Sequence, residues 1–441
     1  MPLERSSVIY NWIKEKNEKT VVNIMSQDLD KDAFWFYDMY NGRIINRKNS
    51  FFSIYGSEYY LDNKFILEQP IIIQNEVGYL GILCKMVHGL PYFYLQSKIE
   101  PGNVNVVQIS PTIQATKSNF TRAHGGSLPK FFNIFESSKS NSIIYDNLQT
   151  EQSTRFYKKS NRNIIMRIDD DLDDEFDFKW ISYVELLSLM KIDNLVNMDT
   201  RTVISGFPYD LIEDKTLFNT FWLNSIYSND IVEETNAMLH MLNNSIMFIN
   251  AKTVLKPLFE LRDWDIKNDG IICNKESNFD VKYFNITIEG REVYSWSQPL
   301  FCSRGCGIFG LIVKKVGKEY KILVSLKRDI GSHNFEFSPS IQLDYIELNG
   351  QYDSVQSIFF EYYSDKTNVI LDVLLSEEGG RFYHEQNRNI IIEIDDEFEM
   401  PEDYVFVSLG TLKSLIKTTQ LINIQLRNLI SLINVFDYYE D

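Results

Sequence analysis

Two sets of arginines stand out in the sequence: Arg155, Arg162 and Arg201 in the first half, and Arg381, Arg388 and Arg427 in the second. They sit beside Asn and Gln rather than along a solvated charge run, and a guanidinium fork matches a carboxylate or a phosphate. Two roles are open to them. They can form buried salt bridges with Asp146, Asp372 and the recurring glutamates Glu151 and Glu377, or they can receive an anionic ligand such as a diphosphate. Groups able to move protons lie nearby in sequence. Glu100 occupies a Lys98-Ile-Glu-Pro-Gly-Asn103 turn leaving a hairpin, where reactive groups are commonly displayed, although a turn carboxylate can also serve only to solvate the loop. Tyr157, next to Arg155, is either a proton donor whose pKa a cation would lower or a core tyrosine. His124, within Arg122-Ala-His-Gly-Gly126, would titrate near neutrality. Lys98 and Asn103 can polarise a carbonyl. The chemistry these types suggest is general acid–base work beside an anion.

These groups lie in a chain that repeats itself. Glu151-Gln-Ser-Thr-Arg-Phe-Tyr-Lys-Lys-Ser-Asn-Arg-Asn-Ile-Ile165 returns as Glu377-Glu-Gly-Gly-Arg-Phe-Tyr-His-Glu-Gln-Asn-Arg-Asn-Ile-Ile391, with nine of fifteen positions identical, where chance gives roughly one. Gly78-Tyr-Leu-Gly81 pairs with Gly307-Ile-Phe-Gly310, and Ser110-Pro-Thr-Ile-Gln114 with Ser338-Pro-Ser-Ile-Gln342. So long a period excludes a solenoid and makes each copy a domain, 1–225 and 226–441.

The elements that must carry these residues are an α/β (α+β) set. Tyr79 to Val87 and Tyr92 to Lys98 flank a His-Gly-Leu-Pro turn, and Ile308 to Val316 and Tyr320 to Leu326 flank Gly-Lys-Glu, so both read as hairpins. Asn163 to Asp169 and Asn389 to Asp395 are β-branched strands, and Phe156, Phe382, Ile164 and Ile390 read as core. Apolar residues at helical spacing follow Ser182 and Ser408, which read as N-caps. Residues 216–262 read as one or two connecting helices. Gly305-Cys-Gly-Ile-Phe-Gly310 matches a dinucleotide-binding pattern, but it leads into a strand where that fingerprint requires a helix.

Composition narrows the class. The 441 residues are 44% hydrophobic and 24% charged, enough for two sizeable cores. No apolar run approaches the ~20 residues of a membrane helix, and Met1-Pro-Leu-Glu-Arg lacks a signal-peptide pattern, so a cytoplasmic protein is expected. Four cysteines are too few for a disulfide framework, and Cys302, Cys306 and His333 do not complete a zinc spacing, so no metal is expected. A net charge of -17 argues against nucleic acid as a partner.

Four long segments in order, Ser97–Asn105, Gln108–Asn119, Glu151–Asn163 and Asn194–Ile204, together with Ser376–Tyr383, resemble the NDP-hexose 2,3-dehydratase family. The resemblance spans nearly the whole chain. It implies two tandem Nudix-like domains with mixed sheets flanked by helices, a homodimer, and a dTDP-linked 4-keto-6-deoxyglucose as substrate. The implied reaction removes the C2 hydroxyl to give a 3,4-diketo-2,6-dideoxy sugar. A C4 ketone acidifies the C3 proton and places the C2 hydroxyl β to the enolate, so the step calls for no cofactor. On this reading Glu100, Tyr157, His124 and Lys98 are catalytic candidates. Asn103, Asn105, Gln108, Glu151, Arg155, Asn161, Arg162, Arg201, Glu377, Arg381 and Arg388 are substrate-binding candidates.

The copies are not equal. His124 has no counterpart, and the first copy's Glu-Pro-Gly-Asn-Val-Asn becomes Asp329-Ile-Gly-Ser-His-Asn334, a departure from the family pattern. Catalysis is therefore expected in the first half, with the second holding another nucleotide or contributing to a shared cleft. The rival functions are a Nudix-type nucleoside-diphosphate-sugar hydrolase, against which the absent Nudix box counts, and a non-catalytic nucleotide-sugar binding protein.

Overall fold

The structure, a computed structural model, describes residues 2–29, 34–117, 128–137, 140–169, 172–289, 293–366 and 368–437. The mixed α+β architecture expected from the sequence is present, and the duplication is written into its topology. One seven-stranded mixed sheet runs in the order Ile143–Thr150, Ser160–Arg167, Gly78–Val87, Leu90–Ile99, Phe178–Ser182, with Val107–Ser110 and Ile113–Ala115 attached to the two hairpin strands. A second sheet repeats that order with Val369–Ser376, Gln386–Ile394, Gly307–Val316, Glu319–Lys327 and Tyr404–Ser408, with Glu336–Pro339 and Ile341–Leu343 attached. The motif strand lies parallel to the first hairpin strand in both, pairing Asn161 with Gly78 and Asn387 with Gly307. Central strands are buried on both faces, which explains their continuous Ile, Leu and Val runs. The first hairpin turns through His88 and Gly89, both with positive φ (51° and 77°), the backbone that a tight hairpin's twist demands.

Ser182 and Ser408 cap their helices as expected. In the first copy Ser182 and Glu185 form a reciprocal capping box. The second copy has Thr411 where Glu185 stands, and a residue from the connector replaces the lost carboxylate. Glu234, on the helix Ile231–Phe248, accepts from the backbone and hydroxyl of Ser408 and from Thr411. The connector departs from its helical reading at one end. After the helices Thr220–Ile226 and Ile231–Phe248 the chain forms a strand, Ala251–Lys256, because the Leu- and Met-rich helical pattern ends at Phe248 and the Thr-Val-Leu run pairs with Ser53–Leu61.

The copies interlock reciprocally. Val22–Ser26 pairs with Phe279–Ile288 of the second copy, and Ala251–Lys256 returns the exchange. Phe156 and Phe382, both core as expected, meet edge to face at 5.8 Å across the junction. One apolar cluster holds Ile82, Phe93 and Leu186 together with Leu311, Ile322 and Leu412. With each such buried side chain contributing about 1.5–3 kcal/mol, neither sheet is independent of the other.

Candidate active site

Each copy sends a hairpin loop into the other's arginine motif. Gly102 donates to the carbonyl of Gly379 (2.8 Å) and accepts from the backbone of His384 (2.7 Å). Gly331 does the same with Ser153 and Lys158 (2.8 and 2.7 Å). A Cβ on Gly102 would lie 1.8 Å from the carbonyl oxygen of Phe382, and one on Gly331 would lie 1.8 Å from that of Phe156, so only glycine admits this approach. Arg201 and Arg427 fix the partner strand behind each loop. Arg201 donates to the carbonyls of Val196 and Ser376 at 2.6 and 2.9 Å, while Arg427 donates to those of Ile422 and Thr150. Both are almost fully buried.

The crossing leaves a cleft of about 220 Å³ between the copies. From the first copy it is lined by Lys98, Glu100, Gln114, Lys159, Asn161 and Asp199, and from the second by Trp296, Gln298, Glu378 and Arg381. Glu100 accepts from Gln114 (2.6 Å) and Asn103 (3.1 Å). Gln114 is itself held by Asn197 (3.2 Å), the N-cap of the helix Met198–Ile204. Asn161 accepts from Gly78 (2.9 Å) and Lys159 (2.7 Å) and donates to Glu151 (2.7 Å). The Arg381 guanidinium packs 4.4 Å above Phe52, donates to Gln74 at 3.1 and 3.2 Å, and has no carboxylate within 4 Å among the described residues. Burial pushes up the carboxyls of Glu378 and Asp199. Glu378 rises to about 7, with neighbouring Glu151 and Glu100 adding to the effect and Arg381 opposing it. Asp199 rises well above the usual range through burial and then the fields of Glu151, Glu378 and Glu100, against Lys98. Lys159 is lowered by burial, against the pull of Glu151 and Glu378.

The structure sorts the sequence candidates. Lys98, Glu100, Asn161 and Arg381 line the cleft, and Asn103 and Glu151 hold residues that do. Asn105 and Gln108 stand behind it, with Gln108 donating to Asn105 (2.7 Å) and Ser376 (3.0 Å). Glu377 holds Asn387 at 2.8 Å. Arg201 is bound to backbone carbonyls, as above. Arg155 lies at the twin junction, 3.6 Å from Asp344 and 3.8 Å from Glu385. Tyr157 packs in an apolar cluster with Tyr59, Ile71 and Ile330. Arg162 and Arg388 pair with Asp146 and Asp372, each at 2.5 Å. Arg162 also borders a second cavity of about 790 Å³ with Tyr79, Lys117, Phe132 and Phe135, which shares Gly78 with the first. His124 falls outside the described residues. Sequence reasoning missed Gln114, Lys159 and Asp199, whereas Glu378 stands among the second-half residues expected to hold a nucleotide or contribute to a shared cleft. Aligning the copies sets both acids apart, because Gln425 and Gln152 stand at the positions equivalent to Asp199 and Glu378.

The family profile for NDP-hexose 2,3-dehydratase matches residues 6–207 and 235–433. Similar proteins include dTDP-4-dehydro-6-deoxy-alpha-D-glucopyranose 2,3-dehydratases from three organisms. That of Saccharopolyspora spinosa is 30% identical over 437 residues, covering 95% of this chain and 89% of the relative. That of Streptomyces violaceoruber is 30% identical over 438 residues (98% and 97%), and that of Amycolatopsis orientalis 31% over 449 (98% and 90%). The molecule is a duplicated α+β protein with a cleft lined by acidic, basic and amide side chains where its copies cross. It belongs to the NDP-hexose 2,3-dehydratase family, which makes it an enzyme acting on a sugar nucleotide. No helix among the described residues is long and apolar enough to cross a membrane.

Proposed function

We propose that this protein removes water from a dTDP-linked 4-keto-6-deoxyglucose, a carbon–oxygen lyase reaction giving the 3,4-diketo-2,6-dideoxy sugar, with the hexose in the cleft around Glu100. The carrying observation is that cleft itself: an oriented glutamate, cations and buried carboxyls raised above their ordinary range, facing one space of sugar size. Glu100 takes the C3 proton. Lys98 meets the charge that develops on O4, where a preformed donor lowers the barrier most. Arg381, without a carboxylate partner among the described residues, supplies a further cationic contact. The nucleoside diphosphate extends into the adjoining cavity, with the base against Tyr79 and Phe132 and the phosphates beside Lys117 and Arg162. The homodimer expected from the family would cover exposed Met39, Tyr40 and Phe259, and sedimentation of the Tyr40→Glu variant as a monomer is the expected outcome.

Incubating the protein with the 4-keto sugar nucleotide in D2O tests the reaction. The expected products are water and a sugar deoxygenated and deuterated at C2. Cleavage of the diphosphate with the C2 oxygen retained would establish a hydrolase instead.

A further inference from the structure

The twin junction around Asp329 provides an internal control. Lys327, Asp329, Gln342 and Asn387 repeat Lys98, Glu100, Gln114 and Asn161, and the same relay recurs: Asn423 holds Gln342 (2.8 Å), which donates to Asp329 at 3.2 Å. Yet two acids of the first cleft are amides at the twin junction. Asp199 corresponds to Gln425 at the second position of the equivalent helix, and Glu378 corresponds to Gln152 at the second position of the equivalent motif. Nothing in the backbone demands the acids, since the same backbone accepts glutamine. Both acids line the first cleft, one supplied by each copy. Neither carboxyl has a cation within 4 Å among the described residues.

We propose that Asp199 and Glu378 form a proton-sharing carboxyl pair that protonates the departing C2 hydroxyl, so that the dehydration is completed by one acid from each copy. The inference rests on the dehydratase reading above. Glu100 removes the C3 proton and the electron pair moves into the C3–C4 bond and onto O4. As the carbonyl re-forms, C2=C3 forms, the C2–O2 bond breaks, and O2 leaves with the pair's proton as water. The enol then returns its O3 proton to the pair and takes one at C2 from Glu100, which gives the 3,4-diketone and restores every carboxyl. Burial, reinforced by the fields of Glu151 and Glu100 on both groups and of Glu378 on Asp199, raises both carboxyls and favours their protonated forms. The charged groups facing it are Lys98, Glu100, Glu151, Lys159 and Arg381.

Asp199→Gln and Glu378→Gln, which copy the twin junction, separate the two half-reactions. In D2O each variant is expected to keep exchanging the C3 proton of unreacted substrate, while release of water falls by about 10²–10⁴-fold. The decline of wild-type kcat at alkaline pH, as the pair ionises, should be lost from the residual activity. Retained C3 exchange shows that the variants are folded and bind substrate. Normal water release in both variants, or loss of C3 exchange in parallel with water release, would overturn the pair's role. A wild-type enzyme that neither exchanges nor dehydrates would overturn the parent reading, whereas those variant outcomes strike the pair alone.

Discussion

The junctions around Glu100 and Asp329 share strand order, amide relay and glycine clasp, yet they treat their arginines differently. Arg381 faces its cleft with an amide partner, whereas Arg155 lies between Asp344 and Glu385, the latter standing where the first copy has Lys159. Burial raises Glu385, with Arg155 opposing that rise. A duplicated scaffold thus leaves Arg381 without a carboxylate partner among the described residues and ion-pairs its counterpart Arg155. The lesson is that the guanidinium's position is architectural, and its availability depends on two or three surrounding charges.

The comparison breaks most visibly at the carboxylate. Glu100→Gln is expected to lower kcat by about 10²–10⁴-fold with loss of C3 deuterium exchange, while Asp329→Asn leaves turnover unchanged. Equal losses in steady-state assays would show that the two junctions work together. The arginines should split next. Arg381→Met is expected to raise KM, roughly ten- to a hundredfold if one charged contact of about 1.5–3 kcal/mol is removed. Arg155→Met should instead lower thermal stability, by roughly 1–3 kcal/mol for carboxylates left without their partner, and leave KM alone.

The clasp sharpens the same contrast. Gly102→Ala and Gly331→Ala meet carbonyl oxygens at the same 1.8 Å, so calorimetry should find similar destabilisation, on the order of 1–3 kcal/mol. Only Gly102→Ala should also depress turnover of the surviving folded protein, because it moves Glu100 away from Glu378 and Arg381. Matching activity losses would mean that the junction as a whole, rather than one cleft, sets the rate.

Much of this was legible in the sequence because it is local. The hairpins, the motif strands, the serine caps and the core phenylalanines follow from periodicity and from residues that satisfy helix ends within one turn. The duplication was visible as identity. A shared cleft was one of two expectations for the second half, but its lining was not legible, because it depends on which copy's loop enters which motif. Glycines 102 and 331 look like ordinary turn residues until a neighbouring carbonyl is placed against them. Arg201 and Arg427 were ambiguous for the same reason: spacing reveals that a guanidinium recurs, but not whether carbonyls or an anion await it. Glu234 supplying the carboxylate that Thr411, 177 positions away, lacks leaves no local signature at all.

The smallest expected effect concerns pH. Glu336 stands where the first copy has Gln108, and burial pushes it up to about 7, with Thr150 and Arg427 opposing that rise. Between its ordinary value of 4.5 and about 7, the folded protein keeps a proton that the unfolded chain has released, so stability falls as pH rises. This contribution is complete below pH 4.5 and lost by the time the pH passes the folded value. Glu336→Gln copies the twin position and removes that dependence. Melting temperatures measured across this window should therefore decline less steeply for the variant than for the wild type. Some slope will remain, because Glu377, also raised to about 7 by burial and then by Glu385, acts with the same sign. An unchanged slope would mean that Glu336 is ionised in the fold and that Arg427, which favours its charged form, outweighs its burial.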